Sequence, residues 1–387
     1  MAAAPLADNP SPPHGRPASN RYRFLAGTAA GLAGLGATGW LVYLAVDDFR
    51  QFFGRRAGFD VAESLIPFTR DDTIGRAFVV GILNTVLVAV IGIVLATLIG
   101  IAIAIARLSG NWLLARLATV YVEALRNIPL LLFLLFWYRA VLSVLPPPRA
   151  GLALPLGANL SNRGLIVPRP IFGDGFEVVL AAIVAAVIAT VGVTFWAKRR
   201  RIETGAYFPA LAVNALLLAI LPAVAFVASG TSLTFDVPVL EGFNFVGGAA
   251  LRPEFVALVV GLSAYTASFI AEIVRAGVLG VAPGQNEAAL ALGLRRSQAL
   301  RHVVLPQAFR IVLPPLAGQY LNLTKNSTLA VAIGYPDFVA IFTGSVMQRT
   351  SQAVEIVAIT MGFYLLLSLL TSAAMNWFNR RVALVER

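Results

Sequence analysis

The chain of 387 residues is 58% apolar and only 13% charged, about half the charged share of an average soluble domain, which excludes an ordinary soluble globule. Thirty Lys+Arg against nineteen Asp+Glu leave a formal charge of +11. These charges punctuate long apolar runs, so the basicity belongs to the edges of a membrane and not to a nucleic-acid-binding face. With no cysteine and only His14 and His302, disulfides, iron–sulfur clusters and thiolate zinc sites are excluded, and a histidine metal site or Ser–His relay has almost no material.

Residues 1–23 form a Pro-rich tail expected to be disordered and cytoplasmic. A bilayer-crossing helix needs about 20 mostly apolar residues. Five runs without Asp, Glu, Lys, Arg or His reach that length: 24–46, 77–106, 178–197, 204–235 and 356–379. Three more, 118–145, 255–280 and 311–334, are apolar but carry charges. The reading is an all-α polytopic membrane protein with about eight transmembrane helices, since continuous apolar runs exclude the alternation of a barrel. The first run is long for a signal peptide and is read as a retained anchor.

Segments 1–23, 107–117, 198–203, 281–310 and 380–387 hold sixteen Lys and Arg; 47–76, 139–177, 236–254 and 335–355 hold eleven in more residues. By the positive-inside rule the first set and both termini are cytoplasmic, with Lys198-Arg199-Arg200-Arg201 the firmest marker. The Pro- and Gly-rich stretch 146–175 reads as an irregular external loop.

Charges inside the spans are costly and therefore informative. Glu123 and Arg126, and likewise Glu272 and Arg275, are spaced i,i+3 near the cytoplasmic ends of their spans and are expected to form local ion pairs. Lys325 lies deep in the span 311–334, after a Pro314-Pro315 pair that can bend it. An ammonium there must face a polar cavity, meet an anion such as an α-carboxylate, or pair with a neighbouring helix, with Glu272 one candidate partner.

The stretch 281–306 between the sixth and seventh spans is the informative loop. It carries Gly284, Gln285, Glu287, Ala288, Ala289 and Gly293, then runs to Val303, Leu305 and Pro306. Small residues favour a helix that another protein can approach closely; Gly293 can end it, Ser297 can cap a second helix, and Pro306 suits the first turn of the next.

Glu-Ala-Ala, three residues, Gly, nine residues, an aliphatic, one residue, then Leu-Pro resembles the permease loop of ATP-binding-cassette importers, with Val303 where isoleucine is commoner. The segments Tyr121–Leu130, Ala271–Gly277 with Gly284-Gln285, Leu305–Arg310, and Lys325-Asn326-Ser327-Thr328 resemble the polar amino-acid uptake branch, with Pro283 and Thr328 as departures. The resemblance implies a five-helix permease core in 76–145 and 253–382. The segment 24–75 is then a first span with its external loop, and 146–252 an insertion with two further spans. Such an insertion is similar to the larger permease of general L-amino acid and glutamate/glutamine systems.

The resemblance further implies a bacterial inner-membrane location and loop 281–306 docked on a separate ATPase subunit that binds ATP and Mg. It implies a second permease or a second copy of this chain, a periplasmic amino-acid-binding protein, and surrounding membrane lipid, with no nucleic acid, no metal and no cofactor on this chain. Lys325, Asn326, Ser327 and Thr328 become candidates for the substrate path. The two lysines follow Ala197 and Thr324, so no Gly-Lys-Ser/Thr phosphate loop exists. A secondary transporter is the alternative; a membrane-embedded enzyme is disfavoured, because Gly-x-Ser-x-Gly and His-Glu-x-x-His are both missing.

Overall fold

The structure, a computed structural model, describes Gly36, Gly39 and residues 49–382, so the predicted tail and most of the first span lie outside the described residues. The chain divides into two units, one formed by 1–138 with 257–387 and the other by 139–256.

The first unit opens with α1 (Phe49–Gly54) and the 34-residue α2 (Ile74–Arg107), whose N-cap Thr73 accepts from the Arg76 amide at 3.2 Å. One side of α2 buries Val88, Gly92, Ala96, Gly100 and Ala104, each four residues after the last. Small side chains at that spacing let a second helix approach backbone to backbone. A Cβ on Gly100 would lie 2.7 Å from Ile270, and one on Gly92 3.1 Å from Leu323.

Asn111 caps α3 (Trp112–Asn127) by accepting from the amides of Leu113 and Leu114. The span expected over 118–145 is broken and not one continuous helix. Ile128 is extended (φ −93°, ψ 132°), and the chain turns by 110° into α4 (Leu130–Leu135) and a π-helical segment, Phe136–Leu142. Pro129 is the cause: its ring disfavours helical backbone at the preceding residue and it supplies no N–H.

In the second unit the expected irregular loop is also corrected. β1 (Leu152–Ala153), β2 (Asn159–Ser161) and β3 (Gly164–Val167) pair antiparallel in sequence. β4 (Arg169–Phe172) follows, then the helices α5 (Phe176–Thr204) and α6 (Ala210–Ala228). After them β5 (Leu233–Asp236) returns to β4, β6 (Val239–Glu241) pairs with β7 (Asn244–Val246), and β8 (Ala249–Leu251) closes on β3. Across the helical pair β3 pairs with β8 and β4 with β5, pairings that local Pro and Gly content does not reveal.

The chain continues through α7 (Pro253–Leu279), α8 (Pro283–Ala291), α9 (Arg296–Ala299) and a π-helical turn, Leu300–Val304. Then come α10 (Leu305–Asn326), a 3-10 stretch Ser327–Ile333 and a π-helical segment Ala340–Val346. The last helices are α11 (Met347–Thr350) and α12 (Ala353–Val382). Among the described residues α2, α5, α6, α7 and α12 are long and apolar enough to cross a membrane, and the bent α3–α4 pair makes a sixth if counted as one span. Gln307, Arg310, Gln319, Asn322 and Lys325 keep α10 below that apolarity, although it runs continuously through Pro314 and Pro315.

The core of the first unit is aromatic. Phe338 stacks on Phe342 at 4.7 Å and on Phe363 at 4.1 Å, while Phe78 meets it edge-on at 5.2 Å. Beside it lies a polar knot. Asp337, 1% exposed, accepts from the Ala340 amide at 2.8 Å and from the Tyr364 hydroxyl at 3.1 Å. Thr85 accepts from the Phe338 amide, and Asn84 donates to the carbonyls of Glu63 and Pro336. Burial away from water raises the Asp337 carboxyl to about 7 despite these donors.

Candidate functional site

The loop after α7 folds as two short helices around a glycine. Pro283 occupies the first turn of α8, where its missing N–H costs nothing. At the other end Gly293 adopts φ +84°. Its amide donates to Leu290 O at 2.9 Å, and the Leu294 amide donates to Ala289 O at 3.2 Å. This paired closure of a helix end requires a left-handed residue, which glycine adopts without a Cβ penalty. α9 begins two residues earlier than a Ser297 cap would place it: Arg295 holds the cap position, and its amide donates to Gln298 Oε1 at 2.9 Å. Ser297 lies inside that helix, a correction to the expected cap.

Ala289 is 3% exposed and turned inward, with Ala299 and Val304 also buried. Gly284, Gln285, Glu287, Ala288 and Gly293 are exposed, as are Leu305 and Pro306 at the start of α10. A Cβ on Gly284 or Gly293 would meet nothing within 4 Å. Leu292 is 83% exposed. Gln307 ties the base of the loop by donating to Gln285 at 3.2 Å. The result is a helix with small side chains outward, one acid, and an aliphatic residue in the open.

The intramembrane charges are arranged differently from the expected two local pairs. Glu272 on α7 accepts from Arg275 Nη2 at 2.6 Å and also from Arg107 at the last turn of α2. One carboxylate thus takes two guanidinium groups, that of Arg275 on its own helix and that of Arg107 on α2, and the second joins the two helices. Glu123 and Arg126 do not pair, which corrects the second expectation. Glu123 is exposed and its backbone carbonyl accepts from Asn127 Nδ2, while the Arg126 guanidinium lies over the Phe269 ring at 5.4 Å. A cation over an aromatic face near apolar surroundings competes well with an exposed ion pair. Arg107 escaped the sequence reading because it ends an earlier apolar run and no spacing rule links it to Glu272.

The four residues Lys325, Asn326, Ser327 and Thr328 do not converge on one surface. Lys325 is exposed near the end of α10, on the same helix face as Asn322 and Gly318. Asn326 is half-buried; Ser327 is 1% exposed and donates to Thr324 O at 2.8 Å, and Thr328 donates to Lys325 O at 2.8 Å. Those two hydroxyls satisfy carbonyls at the helix end. Lys325 is not paired with Glu272, whose carboxylate is taken by the two arginines.

A crevice of about 600 Å³ opens between α2, α7, α10 and α12, lined by Ile101, Ile270, Val274, Phe309 and Leu316 among others. The hydroxyls of Thr97 and Tyr320 on its wall lie 2.9 Å apart. An apolar crevice of this kind cannot hold a zwitterion.

Several long apolar helices, one broken pair and an exposed helix–glycine–helix loop define a polytopic α-helical membrane protein. Residues 177–384 match the family described as the binding-protein-dependent transport system inner membrane component, and the chain belongs to that family. It is 55% identical over 336 residues to the general L-amino acid transport system permease protein AapQ of Rhizobium johnstonii, covering 87% of this chain and 84% of that protein. It is 48% identical over 364 residues to the putative amino-acid ABC transporter permease protein YhdX of Escherichia coli, covering 92% and 93%. To the glutamate/glutamine/aspartate/asparagine transport system permease protein BztB of Rhodobacter capsulatus it is 39% identical over 367 residues, covering 87% and 86%.

Proposed function

We propose that the chain is the translocation subunit of an ATP-driven importer of L-amino acids in the bacterial inner membrane, with both termini cytoplasmic. The loop 281–306 couples it to a separate ATPase. The carrying observation is the exposed face of α8, where Gly284, Glu287 and Ala288 leave room for a partner's surface and Gly293 fixes the turn. The names of the relatives, all amino-acid permeases, support the substrate class. A second permease or a second copy of this chain completes the pathway, and a periplasmic binding protein delivers the amino acid.

The face of α10 with Gly318, Asn322 and Lys325 is the part of this chain offered to the substrate path. An exposed ammonium there attracts an α-carboxylate, while Asn322 and the open backbone at Gly318 give polar contacts. Ser327 and Thr328 hold the helix end that presents Lys325. ATP and Mg belong to the partner ATPase.

The test is the reconstituted complex with Glu287→Lys. Uptake and the stimulation of ATP hydrolysis by loaded binding protein are expected to be lost, while the chain stays in the membrane. Normal stimulation in this variant would overturn the coupling assignment.

A further inference from the structure

We propose that the turn joining α5 to α6 binds the headgroup of an anionic phospholipid through Lys198 and Arg201. The apolar part of α5 ends at Ala197 and the helix continues to Thr204, about 10 Å further at 1.5 Å per residue. That extension matches the depth of a headgroup layer beyond the hydrocarbon. Aromatic residues mark the same level. Trp196 is 50% exposed and meets Phe208 edge-on at 5.0 Å, and Tyr207 is 81% exposed.

Four consecutive cations follow, and two of them are engaged. Arg199 donates to Glu203 at 2.7 Å, and the Arg200 guanidinium lies 5.2 Å from the Trp196 ring. Lys198 and Arg201 are exposed, three residues apart on one helix face, with no acidic partner among the described residues. Like charges at that spacing repel. The negative end of the helix favours cations in the last turn, but it gives the pair no counter-ion. A phosphate between them would do so, with the guanidinium offering a two-pronged contact.

The lipid is the occupant favoured by the helices themselves. α6 buries none of its residues and α5 only Val179, Ala186 and Ala197. Their apolar flanks thus meet acyl chains, and an anion attached to such a chain is delivered to Lys198 and Arg201 at the right depth.

The test uses the full chain purified in its transporter complex, with retained lipid measured by native mass spectrometry after exposure to phosphatidylglycerol or phosphatidylcholine of the same acyl chains. Phosphatidylglycerol is expected to be retained preferentially. Lys198→Gln with Arg201→Gln should lower its retention by roughly ten- to thirtyfold. The charge-keeping Lys198→Arg with Arg201→Lys should retain it, as should the control Arg163→Gln with Arg252→Gln. Equal retention of both lipids by the wild type, or an unaffected double variant, would overturn the proposal. So would displacement of phosphatidylglycerol by millimolar inorganic phosphate, which would mark a free-anion site. Loss of a partner permease from the double variant with unchanged lipid retention would instead assign the face to a protein interface and overturn it equally.

Discussion

Arg107 and Glu272 meet across two helices whose sequence positions give no hint of contact, and Arg275 shares the same carboxylate from the next turn. The cluster sits where α2 ends and α7 approaches the loop that begins at Pro283. Its two arginines have side chains 12% and 30% exposed, and Glu272 is 24% exposed. Removing the carboxylate leaves two partly buried cations facing each other.

Glu272→Gln is therefore expected to destabilise the protein by about 1.5–3 kcal/mol, the range for charged hydrogen bonds. Glu123→Gln, which removes an exposed carboxylate with no ion pair among the described residues, should stay within about 0.5 kcal/mol. Thermal unfolding of both variants in detergent checks the contrast. Equal loss in the two would show that the shared carboxylate does not hold α2 to α7.

At Gly293 the requirement is conformational and not steric, because an added Cβ meets nothing. Gly293→Asn, a residue that tolerates left-handed backbone, should retain most uptake. Gly293→Ala should cost about 1 kcal/mol in the loop and lower uptake moderately. Gly293→Asp adds a charge at the exposed turn and should uncouple hydrolysis from transport. Uptake measured in that order, Asn above Ala above Asp, is the expected result.

Lys325→Met should abolish uptake while assembly and basal ATP hydrolysis survive, and Lys325→Arg should be partly active. The charge is exposed on α10 and makes no ion pair within the described residues, so its loss leaves no buried partner behind. Normal transport by Lys325→Met would remove the residue from the substrate path.

Asp337 sets a pH dependence of stability. Its folded value of about 7 lies above the ordinary 3.8, so the native state holds the proton more tightly than the unfolded chain. Its contribution is fully present below pH ~4 and is lost as pH rises toward ~7, at up to about 1.4 kcal/mol per pH unit. Asp337→Asn should flatten the fall in thermal midpoint between pH 5 and 7. An unchanged slope would mean that Asp337 is ionised throughout.

The helices over 77–106, 178–197 and 356–379 were legible because a bilayer-length apolar run leaves few alternatives, whereas the run 204–235 forms a helix only over Ala210–Ala228 and ends in β5. The helix–glycine–helix shape of the loop after α7 was legible from Gly293 and Pro306, whose backbone preferences act locally, whereas the cap of its second helix fell on Arg295 and not on Ser297. The break at Ile128-Pro129 was also written locally, but the apolar run across it masked the proline. Arg107–Glu272 and the strand pairs were not legible, since both depend on partners far apart in sequence. The same holds for Lys325: its depth in an apolar run was visible, whereas the inward turn of Ser327 beside it follows from how the helix end packs.

The pairing of Leu165 with Leu251 and of Phe172 with Leu233 has a consequence for biogenesis. β3 and β4 leave the ribosome before α5 and α6; β3 can pair at once with β2, but its second partner β8 and the β4 partner β5 follow only afterwards. Until the second helix of the pair has been inserted, both early strands present unpaired edges to the solvent. The order of synthesis thus makes completion of the sheets a readout of correct insertion, and a chain stalled between α5 and α6 would expose those edges to quality-control proteases.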